Sequence, residues 1–417
     1  VENFGVGSSV TINNNTVSID PTSDLSDTGE TYYISYPSGA FTNTAGDVSY
    51  VGTAYTFGTK KSAIELFAWG ENNTGQLGQN DLTNRSSPVQ IAGTNWKIGA
   101  SRLGTANQNT SMFIKTDGTL WGWGSGGWGQ LGQNTNENTG AYFSSPVQIA
   151  GTSWDKSAIG KNFGAAINTD GELWVMGRNA GGKLGLNTPS IGYSSPVQLP
   201  GTTWRSISNN FDSTSSTKTD GTLWGWGESS RGQGGHNNTT KYSSPVQIPG
   251  TTWKEVTTGY LWTLATKTDG TLWAWGYNQY GALGQNSKTD YSSPVQIPGT
   301  TWDVASSNNN FPLAVKTDGT MWGWGRNNDG QLGQNNRTEY SSPMQIPGTT
   351  WKSASGGYSG SAIAVKTDGT LWSWGEKSKG ETGHNNAVKY SSPVQIPGTT
   401  WSEVHTSDQS SFAISEA

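Results

Sequence analysis

The string KTDGTLWGWG at Lys115–Gly124 decides the fold, because the chain repeats it. Near copies begin at residues 168, 218, 267, 316 and 366, and a shortened copy, ELFAWG, lies at Glu65–Gly70. The string SSPVQ recurs seven times, with its proline at Pro88, Pro146, Pro196, Pro245, Pro294, Pro343 and Pro393. The string GTxW also recurs seven times, with its tryptophan at Trp96, Trp154, Trp204, Trp253, Trp302, Trp351 and Trp401. Three markers therefore agree on seven units of about 50 residues, a period typical of propellers and solenoids.

Each unit predicts four short strands. Polar and apolar residues alternate in WKEVTTG (Trp253–Gly259) and in TLATK (Thr263–Lys267), and Asp-Gly joins the latter to TLWAWG. An Asp-Gly hairpin of this kind predicts a turn with positive φ at both central residues. A polar loop follows, and PVQIPG supplies a fourth strand whose leading proline removes no ladder hydrogen bond. Four strands without any helical period fit one propeller blade, so the fold class is all-β, a seven-bladed β-propeller.

The tryptophans explain how a chain with only 31% apolar residues can form a core. Twelve of the 21 tryptophans stand in LWxWG-type strings and seven in GTxW. Because each ring can bury about 150–250 Å², we expect them to pack between adjacent blades. The alternative is a sugar site lined by the same rings.

The composition argues against several classes of function. The chain has no Cys, three His and a net charge of −5. It lacks 18 consecutive apolar residues and a basic patch, so we expect neither membrane insertion nor nucleic-acid binding. His236 and His384 lie three repeats apart, too far to share a metal, and the aspartates of the TDG turns serve the turns. No catalytic motif is found, so we expect no enzyme, no cofactor and no metal. A glycan-cleaving propeller stays open as an alternative.

One repeat is split between the two ends of the chain. The first unit has ELFAWG without a preceding KTDG hairpin, and the last unit stops after SSFAISEA (Ser410–Ala417). We therefore expect Ser411–Ser415 to pair with about Ile64–Trp69 and to close the ring without an open edge. The predicted domains are residues 1–61, a β-rich segment, and residues 62–417, the propeller.

The repeats resemble the regulator of chromosome condensation repeat family. GENNTGQLG (70–78), GYNQYGALG (276–284) and GRNNDGQLG (325–333) match the second half of that family's motif. The resemblance implies a seven-bladed propeller over residues 62–417. The family usually has a histidine five residues before the lysine of KTDG, and no unit has one here. The chromosomal members carry a basic tail and bind nucleosomes and a small GTPase, which this acidic chain is not expected to do. Secreted bacterial relatives inhibit β-lactamases through one propeller face.

A short loop after the GTxW strand changes from unit to unit while the strands barely change. Its varied residues include six aromatic side chains: Phe163, Phe211, Tyr260, Trp262, Phe311 and Tyr358. Binding surfaces are enriched in aromatic residues, and loops on a constant scaffold are where propellers place recognition. We therefore predict that these six residues contact a ligand or partner. The alternatives are free drift of exposed turns, or rings that plug the channel by packing on one another.

Residues 1–61 alternate at Val10–Ile19 and at Thr31–Tyr36. They resemble the C-terminal half of a bacterial surface-layer Ig-like domain. The matching positions are Leu25, Gly29, Tyr32, Tyr33, Gly39, Ala40, Phe41, Gly46, Tyr55 and Phe57. About sixty residues with so few apolar positions would be only marginally stable alone. We expect the missing strands upstream in a longer protein or in a neighbouring chain that adds them.

These observations predict a non-enzymatic recognition or adhesion protein, located outside the cell, on the cell surface or on a virion. Its expected partner is a surface protein or a glycan receptor, bound by a propeller head on an Ig-like stalk. The alternative is a structural subunit of a surface filament, phage tail fibre or capsid. In that case residues 1–61 would contact neighbouring copies of the chain.

Overall fold

The computed structural model describes residues 63–416 except 104–108, 136–139, 189, 307–308, 387 and 399, together with the backbone of six strands between residues 10 and 58. The chain separates into two compact units, residues 1–63 and residues 64–417.

The N-terminal unit contains three pairs of short antiparallel strands. The strands are β1 (Val10–Asn13), β2 (Thr16–Ile19), β3 (Thr31–Ile34), β4 (Phe41–Thr42), β5 (Ser49–Tyr50) and β6 (Tyr55–Gly58). β1 pairs with β2, β3 with β6, and β4 with β5. The side chains and connections lie outside the described residues, so the Ig-like resemblance stays a prediction.

The second unit is an all-β propeller of seven blades, which confirms the predicted fold class. In chain order its strands begin with β7 (Ile64–Gly70), β8 (Arg85–Gln90), β9 (Ser101–Leu103), β10 (Thr110–Ile114), β11 (Leu120–Ser125) and β12 (Tyr142–Ile149). Blade 3 contains β13 (Trp154–Gly160), β14 (Phe163–Asn168), β15 (Leu173–Gly177) and β16 (Tyr193–Leu199), and blade 4 contains β17 (Trp204–Asn209), β18 (Ser213–Lys218), β19 (Leu223–Gly227) and β20 (Tyr242–Ile248). Blade 5 contains β21 (Trp253–Thr258), β22 (Trp262–Lys267), β23 (Leu272–Gly276) and β24 (Tyr291–Ile297), and blade 6 contains β25 (Trp302–Ser306), β26 (Leu313–Lys316), β27 (Met321–Gly325) and β28 (Tyr340–Ile346). Blade 7 contains β29 (Trp351–Gly356), β30 (Ser361–Lys366), β31 (Leu371–Gly375) and β32 (Tyr390–Ile396), and the last strands are β33 (Trp401–Thr406) and β34 (Ser410–Glu416).

Blade 1 closes the ring with strands from both ends of the repeat region. Its order is β33-β34-β7-β8. β34 pairs antiparallel with β7 along its whole length, from Ser410 opposite Gly70 to Glu416 opposite Ile64. This is the pairing that the split repeat predicts, and it leaves β34 with a hydrogen-bonded neighbour on each side.

Blade 2 departs from the four-stranded pattern. Its sheet consists of β10, β11 and β12, while β9 pairs in parallel with β13 of blade 3. The segment that would form the first strand of blade 2 makes one antiparallel bridge within its own blade, between Trp96 and Lys115. Gly99 then adopts a φ of +68°, and its N–H is held by the Glu403 carboxylate at 2.6 Å. The turn at this glycine directs the following residues toward the next blade.

The TDG hairpins use a different turn from the one expected. In the turn of blade 2 only Gly118 has a positive φ, of +79°. Its N–H donates to the Lys115 carbonyl at 2.9 Å, which makes a type I turn followed by a left-handed glycine. Asp117 accepts hydrogen bonds from the Thr119 N–H at 2.9 Å and hydroxyl at 2.6 Å. These bonds tie the aspartate to its own turn, and the Thr119 hydroxyl is the main cause of the lowered pKa of Asp117.

The tryptophans hold neighbouring blades together. The second tryptophan of LWxWG is buried and donates its indole N–H to a loop carbonyl of the preceding blade, as Trp275 does to Gln233 at 2.9 Å. The same bond joins Trp123 to Gln76, Trp226 to Lys183, Trp324 to Ala282 and Trp374 to Gln331. Trp69 completes the set by donating to Glu381, 312 residues away. The interblade role predicted for these rings is thus visible.

Helix is almost absent from the described part of the chain, which contains a single 3-10 turn at Ala180–Gly182. Among those residues, no helix has the length and apolar character needed to span a bilayer.

Candidate functional site

The propeller has two ends with different architecture. At the end we call the turn end, the TDG hairpins join the second and third strands and the IPGTTW segments join one blade to the next. At the opposite end, the loop end, one loop joins the first strand to the second and another joins the third to the fourth. The six predicted aromatic residues lie in the first set of these loops or at the start of the strand that follows, so the candidate site lies at the loop end.

In each blade the same backbone geometry places a residue of the first loop beside the residue that follows LWxWG, and both positions vary between blades. The glycine that ends LWxWG has a positive φ, and a Cβ on Gly276 would lie 2.5 Å from the Leu261 carbonyl of the first loop. Only glycine fits there. The next residue then donates its N–H to that same carbonyl, as Tyr277 does at 2.9 Å. This next residue differs between blades: Glu71, Ser125, Arg178, Glu228, Tyr277, Arg326 and Glu376.

Three of the six predicted residues are core residues. Phe163 and Trp262 are fully buried and Phe311 is 1% exposed. Phe163 and Trp262 are the first residues of β14 and β22, where the side chain faces inward between blades, and the Trp262 indole donates to the Asn309 carbonyl at 3.1 Å. The prediction that all six rings offer a contact surface is therefore corrected for these three, whose burial in the core leaves no surface for a partner.

The other three residues form a row of partly exposed rings. Phe211 and Tyr260 make an edge-to-face contact with centroids 5.0 Å apart, and Tyr260 contacts Tyr358 at 5.8 Å. Phe211, Tyr260 and Tyr358 belong to blades 4, 5 and 7, so the row passes over blade 6 without a ring from it. We call these three residues the aromatic row.

A polar cleft adjoins the Tyr358 end of the aromatic row. Its volume is ≈ 520 Å³, and it opens between blades 6, 7 and 1. Its lining residues are Asn309, Arg326, Asp329, Tyr358, Ser359, Glu376, Ser378, Asp408 and Gln409. Lys389 bridges Asp329, at 3.1 Å, and Glu376, which fixes two of the carboxylates at the rim.

Carboxyl groups dominate this side of the loop end. Burial raises the pKa of Asp408 to about 6, and the nearby Glu71 carboxylate adds to the effect. Glu381 is buried behind the cleft, and burial raises its pKa to about 7, with further repulsion from Glu376 and Glu71. One Glu381 carboxylate oxygen accepts the Lys379 N–H at 2.7 Å, and the other has no hydrogen-bond partner among the described residues.

Cations dominate the opposite side, at blades 3 and 4. Lys183 is 1% exposed, and its ammonium donates to the Lys161 carbonyl and to the Asp212 carboxylate, both at 2.8 Å. Burial lowers the pKa of Lys183 against the attraction of Asp212. The Lys161 ammonium lies 3.6 Å from the centre of the Phe211 ring, so the aromatic row ends in a cation. Arg178 stacks on Trp128 at 4.5 Å beside it.

The prediction from sequence missed the charged half of the site. Arg326 and Glu376 occupy the varied position directly after LWxWG, and Asp408 lies in the varied first loop. The sequence does contain a signal for these residues, because the position after LWxWG varies between acidic, basic and other residues while the glycine before it is constant. The prediction missed it because it considered only aromatic residues, and this position is not rich in them.

The histidines serve the scaffold. The His236 ring bonds the Val246 carbonyl at 3.0 Å and His384 bonds the Ser373 hydroxyl at 2.8 Å. In other blades Gln285 and Gln334 bond a carbonyl of the fourth strand, as His236 does, whereas Ser373 lies on the third strand of its blade. Within the described residues, no group of three or more histidine and carboxylate side chains is arranged to hold a metal ion.

Solved structures share this fold. The crystal structure of Prp20p from Saccharomyces cerevisiae superposes with a TM-score of 0.72 at 18% identity and covers 85% of this chain and 91% of that one. Human WBSCR16 gives a TM-score of 0.73 at 19% identity over 85% of this chain and 99% of that one. At this level of identity the likeness concerns the fold alone.

Curated relatives match over a few repeats. The RCC2 homolog of Danio rerio is 28% identical over 124 residues, 30% of this chain and 24% of that protein. The ultraviolet-B receptor UVR8 of Arabidopsis thaliana is 28% identical over 120 residues, 28% of this chain and 27% of the receptor. The alignments thus span less than a third of either relative.

The sequence model that describes the regulator of chromosome condensation (RCC1) repeat matches the chain in five segments. These are residues 65–99, 117–167, 220–265, 269–308 and 318–364. Together they cover more than half of the chain and lie within the propeller, each running from near the third strand of one blade into the next blade. With the matching seven-bladed structure, this confirms the resemblance drawn from the repeats: the chain belongs to the RCC1 repeat family.

Proposed function

We propose that this chain is a non-enzymatic recognition protein and that its loop end binds a protein partner. The observation that carries the proposal is the aromatic row beside the polar cleft. Partly exposed tyrosine and phenylalanine rings give contact area at small entropic cost, because they lose few rotamers. The rings are preorganised by contact with one another, which lowers the cost of ordering them on binding.

The charge distribution favours a protein over a neutral glycan. Lys161 and Arg178 lie at one end of the aromatic row, and the carboxylates of Asp329, Glu376 and Asp408 lie at the other. A partner with the opposite arrangement of charges would be oriented on the face as it approached. The partner that fits is therefore one with an apolar strip between an acidic and a basic group.

The family supports a role in protein binding. One solved relative, Prp20p, which is the yeast RCC1, is described by its binding to Gsp1p and histones and has also been crystallised bound to Kap60. Those partners belong to that protein. For this chain we carry over only the kind of activity, the binding of another protein by the propeller.

We place this recognition outside the cell or on a virion surface. The chain has no cysteine in 417 residues, a charged fraction of 13%, and an acidic net charge. A β-rich N-terminal unit separate from the propeller suits a stalk that presents a head. The partner is then a surface receptor, with a glycan receptor as the competing outcome of the test.

The proposal is tested by screening the full chain against purified cell-surface proteins and against a glycan array. We expect a protein hit that the double variant Tyr260→Ala, Tyr358→Ala loses by at least tenfold. The matched control is Tyr142→Ala, which removes an exposed tyrosine outside the aromatic row and the cleft. A hit that both variants retain, or a glycan hit without a protein hit, would contradict the proposal.

The N-terminal strands favour a second candidate, a structural subunit of a surface filament, tail fibre or capsid. The described strands of the N-terminal unit pair two by two. Isolated two-stranded sheets are marginally stable, and open edges pair readily with other chains. Light scattering on the full chain over a range of concentrations decides: a constant monomer mass removes this candidate, whereas defined multimers lost on deletion of residues 1–61 support it.

A further inference from the structure

At the turn end, five blades enclose a lysine ammonium between two tryptophan rings. In blade 5 the Lys267 nitrogen lies 4.7 Å from the centre of the Trp253 ring and 4.5 Å from that of Trp273. The lysine is the first residue of KTDG, and the two rings come from GTxW and from the first tryptophan of LWxWG. Lys115, Lys218, Lys316 and Lys366 repeat the arrangement at 4.4–5.1 Å.

Blade 3 has the same pair of tryptophan rings, but an asparagine replaces its lysine. Trp154 and Trp174 meet edge to face with centroids 6.3 Å apart. The corresponding pairs in blades 4 to 7 are 6.1–6.3 Å apart in the same arrangement. Asn168 stands where the lysine stands elsewhere. Among the described residues, no lysine or arginine lies over the Trp154 or Trp174 ring.

The asparagine does not replace the ammonium, because its amide is used by its own turn. The Asn168 side-chain N–H donates to the Glu172 carboxylate at 2.8 Å, and its carbonyl accepts the backbone N–H of Asp170 at 3.1 Å and of Glu172 at 2.9 Å. Glu172 itself is a second change, since the other KTDG turns have threonine there. The turn therefore exchanges a lysine for an asparagine and a neutral hydroxyl for a carboxylate.

We propose that blade 3 carries a binding site for an alkylammonium group, formed by Trp154, Trp174 and Glu172. The two rings keep the spacing that holds an ammonium in blades 4 to 7 of the same chain. The faces of tryptophan rings attract cations, and a neighbouring carboxylate adds charge attraction. Trp174 and Glu172 are partly exposed and Trp154 is buried, so a ligand would reach the site from solvent along Trp174 at the turn end.

The ligand that matches this site is a lysine side chain of a partner protein. In the other blades the guest is itself a lysine ammonium on a four-carbon chain, so the same group from outside reproduces contacts that the scaffold already makes. A free diamine offers the same chemistry from another source. Blade 1 is not an equivalent site, because Phe67 replaces the tryptophan and lies closer, at 5.1 Å from Trp401.

The test is a titration of the full chain with Nα-acetyl-lysine methylamide, followed by the indole N–H signals in ¹H–¹⁵N spectra. Loss of one signal in Trp174→Phe assigns the reporter. We expect saturable shifts of the Trp174 signal, and a parallel titration with putrescine compares the free diamine. Tighter binding of the lysine derivative supports a protein partner, and tighter binding of putrescine corrects the source of the ligand to a free polyamine.

Two variants make the result decisive. Asn168→Lys places the native guest of the other blades over the rings, so we expect at least a tenfold loss of affinity, whereas Asn168→Gln retains binding. In blade 5 the double variant Lys267→Asn, Thr271→Glu is expected to create a second site, reported by Trp273. The proposal is overturned if no signal shifts saturably in the parent chain, or if Asn168→Lys binds as the parent does.

Discussion

The two ends of the propeller differ in how much their residues vary and in what the variation does. At the turn end, Asp117, Asp220, Asp269, Asp318 and Asp368 each accept a threonine hydroxyl at 2.6–2.7 Å. Each of those threonines in turn accepts the indole N–H of a tryptophan, as Thr271 does from Trp273 at 2.9 Å. The same side chains make the same bonds, so the residues at this end determine the geometry of the blades.

At the loop end the backbone repeats and the side chains do not. The N–H after each LWxWG glycine bonds the neighbouring loop carbonyl, whatever side chain that residue carries. Because the side chain takes no part in that bond, the backbone bond is kept with glutamate, arginine, serine or tyrosine at this position. A propeller can therefore change the side chains of its loop end without changing its frame.

The largest effect is expected from deleting Ser410–Ala417. This deletion removes β34, whose side chains Phe412, Ala413 and Ile414 are fully buried. Burying each of the two larger side chains contributes about 1.5–3 kcal/mol, and the ladders to β33 and β7 are lost as well. We expect the midpoint of thermal unfolding, followed by circular dichroism, to fall by roughly 10 °C or more. Adding the peptide SSFAISE in trans should recover part of the loss. An unchanged midpoint would mean that the ring closes elsewhere.

Trp253→Ala tests the frame within one blade. Trp253 is 1% exposed and packs edge to face on Trp273 and Trp275, with centroids 6.1 and 6.0 Å away. Truncating a buried ring of this size costs about 3–5 kcal/mol of unfolding free energy, measurable by urea denaturation. The exposed Tyr142 gives the control, since Tyr142→Ala should change stability by less than about 0.5 kcal/mol. Equal values for the two variants would contradict a structural role for the tryptophans.

The sequence predicted the frame well because each marker had one physical explanation. Repeated tryptophans at fixed spacing had to be packed between blades, and the split repeat had to be closed by Ser411–Ser415. The predicted turn type was wrong because an Asp-Gly pair is compatible with two hairpin geometries. The bonds from Thr119 to Asp117 select the one in which only Gly118 has a positive φ. That choice depends on a residue after the turn, outside the dipeptide used for the prediction.

The candidate site was predicted only in part, for a different reason. A loop can turn an aromatic residue toward the next blade or toward solvent, and its position in the sequence does not decide which. Phe163 and Trp262 begin their strands and are buried. Phe211, Tyr260 and Phe311 all lie two residues before theirs, yet Phe311 is buried while Phe211 and Tyr260 stay partly exposed. The cleft needed three-dimensional information, because Arg326, Glu376 and Asp408 come from three different blades.

Glu381→Gln tests a carboxyl group of the loop end that is buried in the propeller. Burial raises the pKa of Glu381 to about 7, so the folded protein holds this proton more tightly than the unfolded chain does. The folded state is therefore stabilised by protonation of Glu381, fully below about pH 4.5, and this stabilisation is lost as the pH rises to about 7. Each pKa unit corresponds to about 1.4 kcal/mol, which sets a ceiling of about 3 kcal/mol. We expect Glu381→Gln to be more stable than the parent at pH 8.

The measurement is urea denaturation at pH 5 and at pH 8. Gln331 makes the same backbone bond in blade 6 that Glu381 makes in blade 7, so the glutamine fits the site. The variant should lose most of the pH dependence and keep a smaller part from Asp408, whose pKa is raised to about 6. Gln233→Glu is the matched control and should introduce a similar dependence. Identical pH dependence in parent and Glu381→Gln would show that the carboxyl does not titrate in this range.

The smallest effect on stability is expected from Tyr260→Ala. Tyr260 contacts Phe211 and Tyr358 from a partly exposed position, and each such aromatic pair contributes about 0.5–1.5 kcal/mol. Because part of the Tyr260 ring is already in contact with water in the folded protein, we expect its truncation to lower the free energy of unfolding by about 1 kcal/mol. This is well below the value expected for Trp253→Ala in the same blade. A double-mutant cycle with Phe211→Ala measures the contact itself.

The result decides between the two interpretations of the aromatic row. If Tyr260→Ala costs as much as Trp253→Ala, the row is a plug that holds the blades, and the loop end belongs to the frame. If the cost is near 1 kcal/mol and partner binding is lost, the row belongs to a surface whose residues are free to change. The first outcome would remove the distinction between the two ends, because the same aromatic packing would then stabilise both.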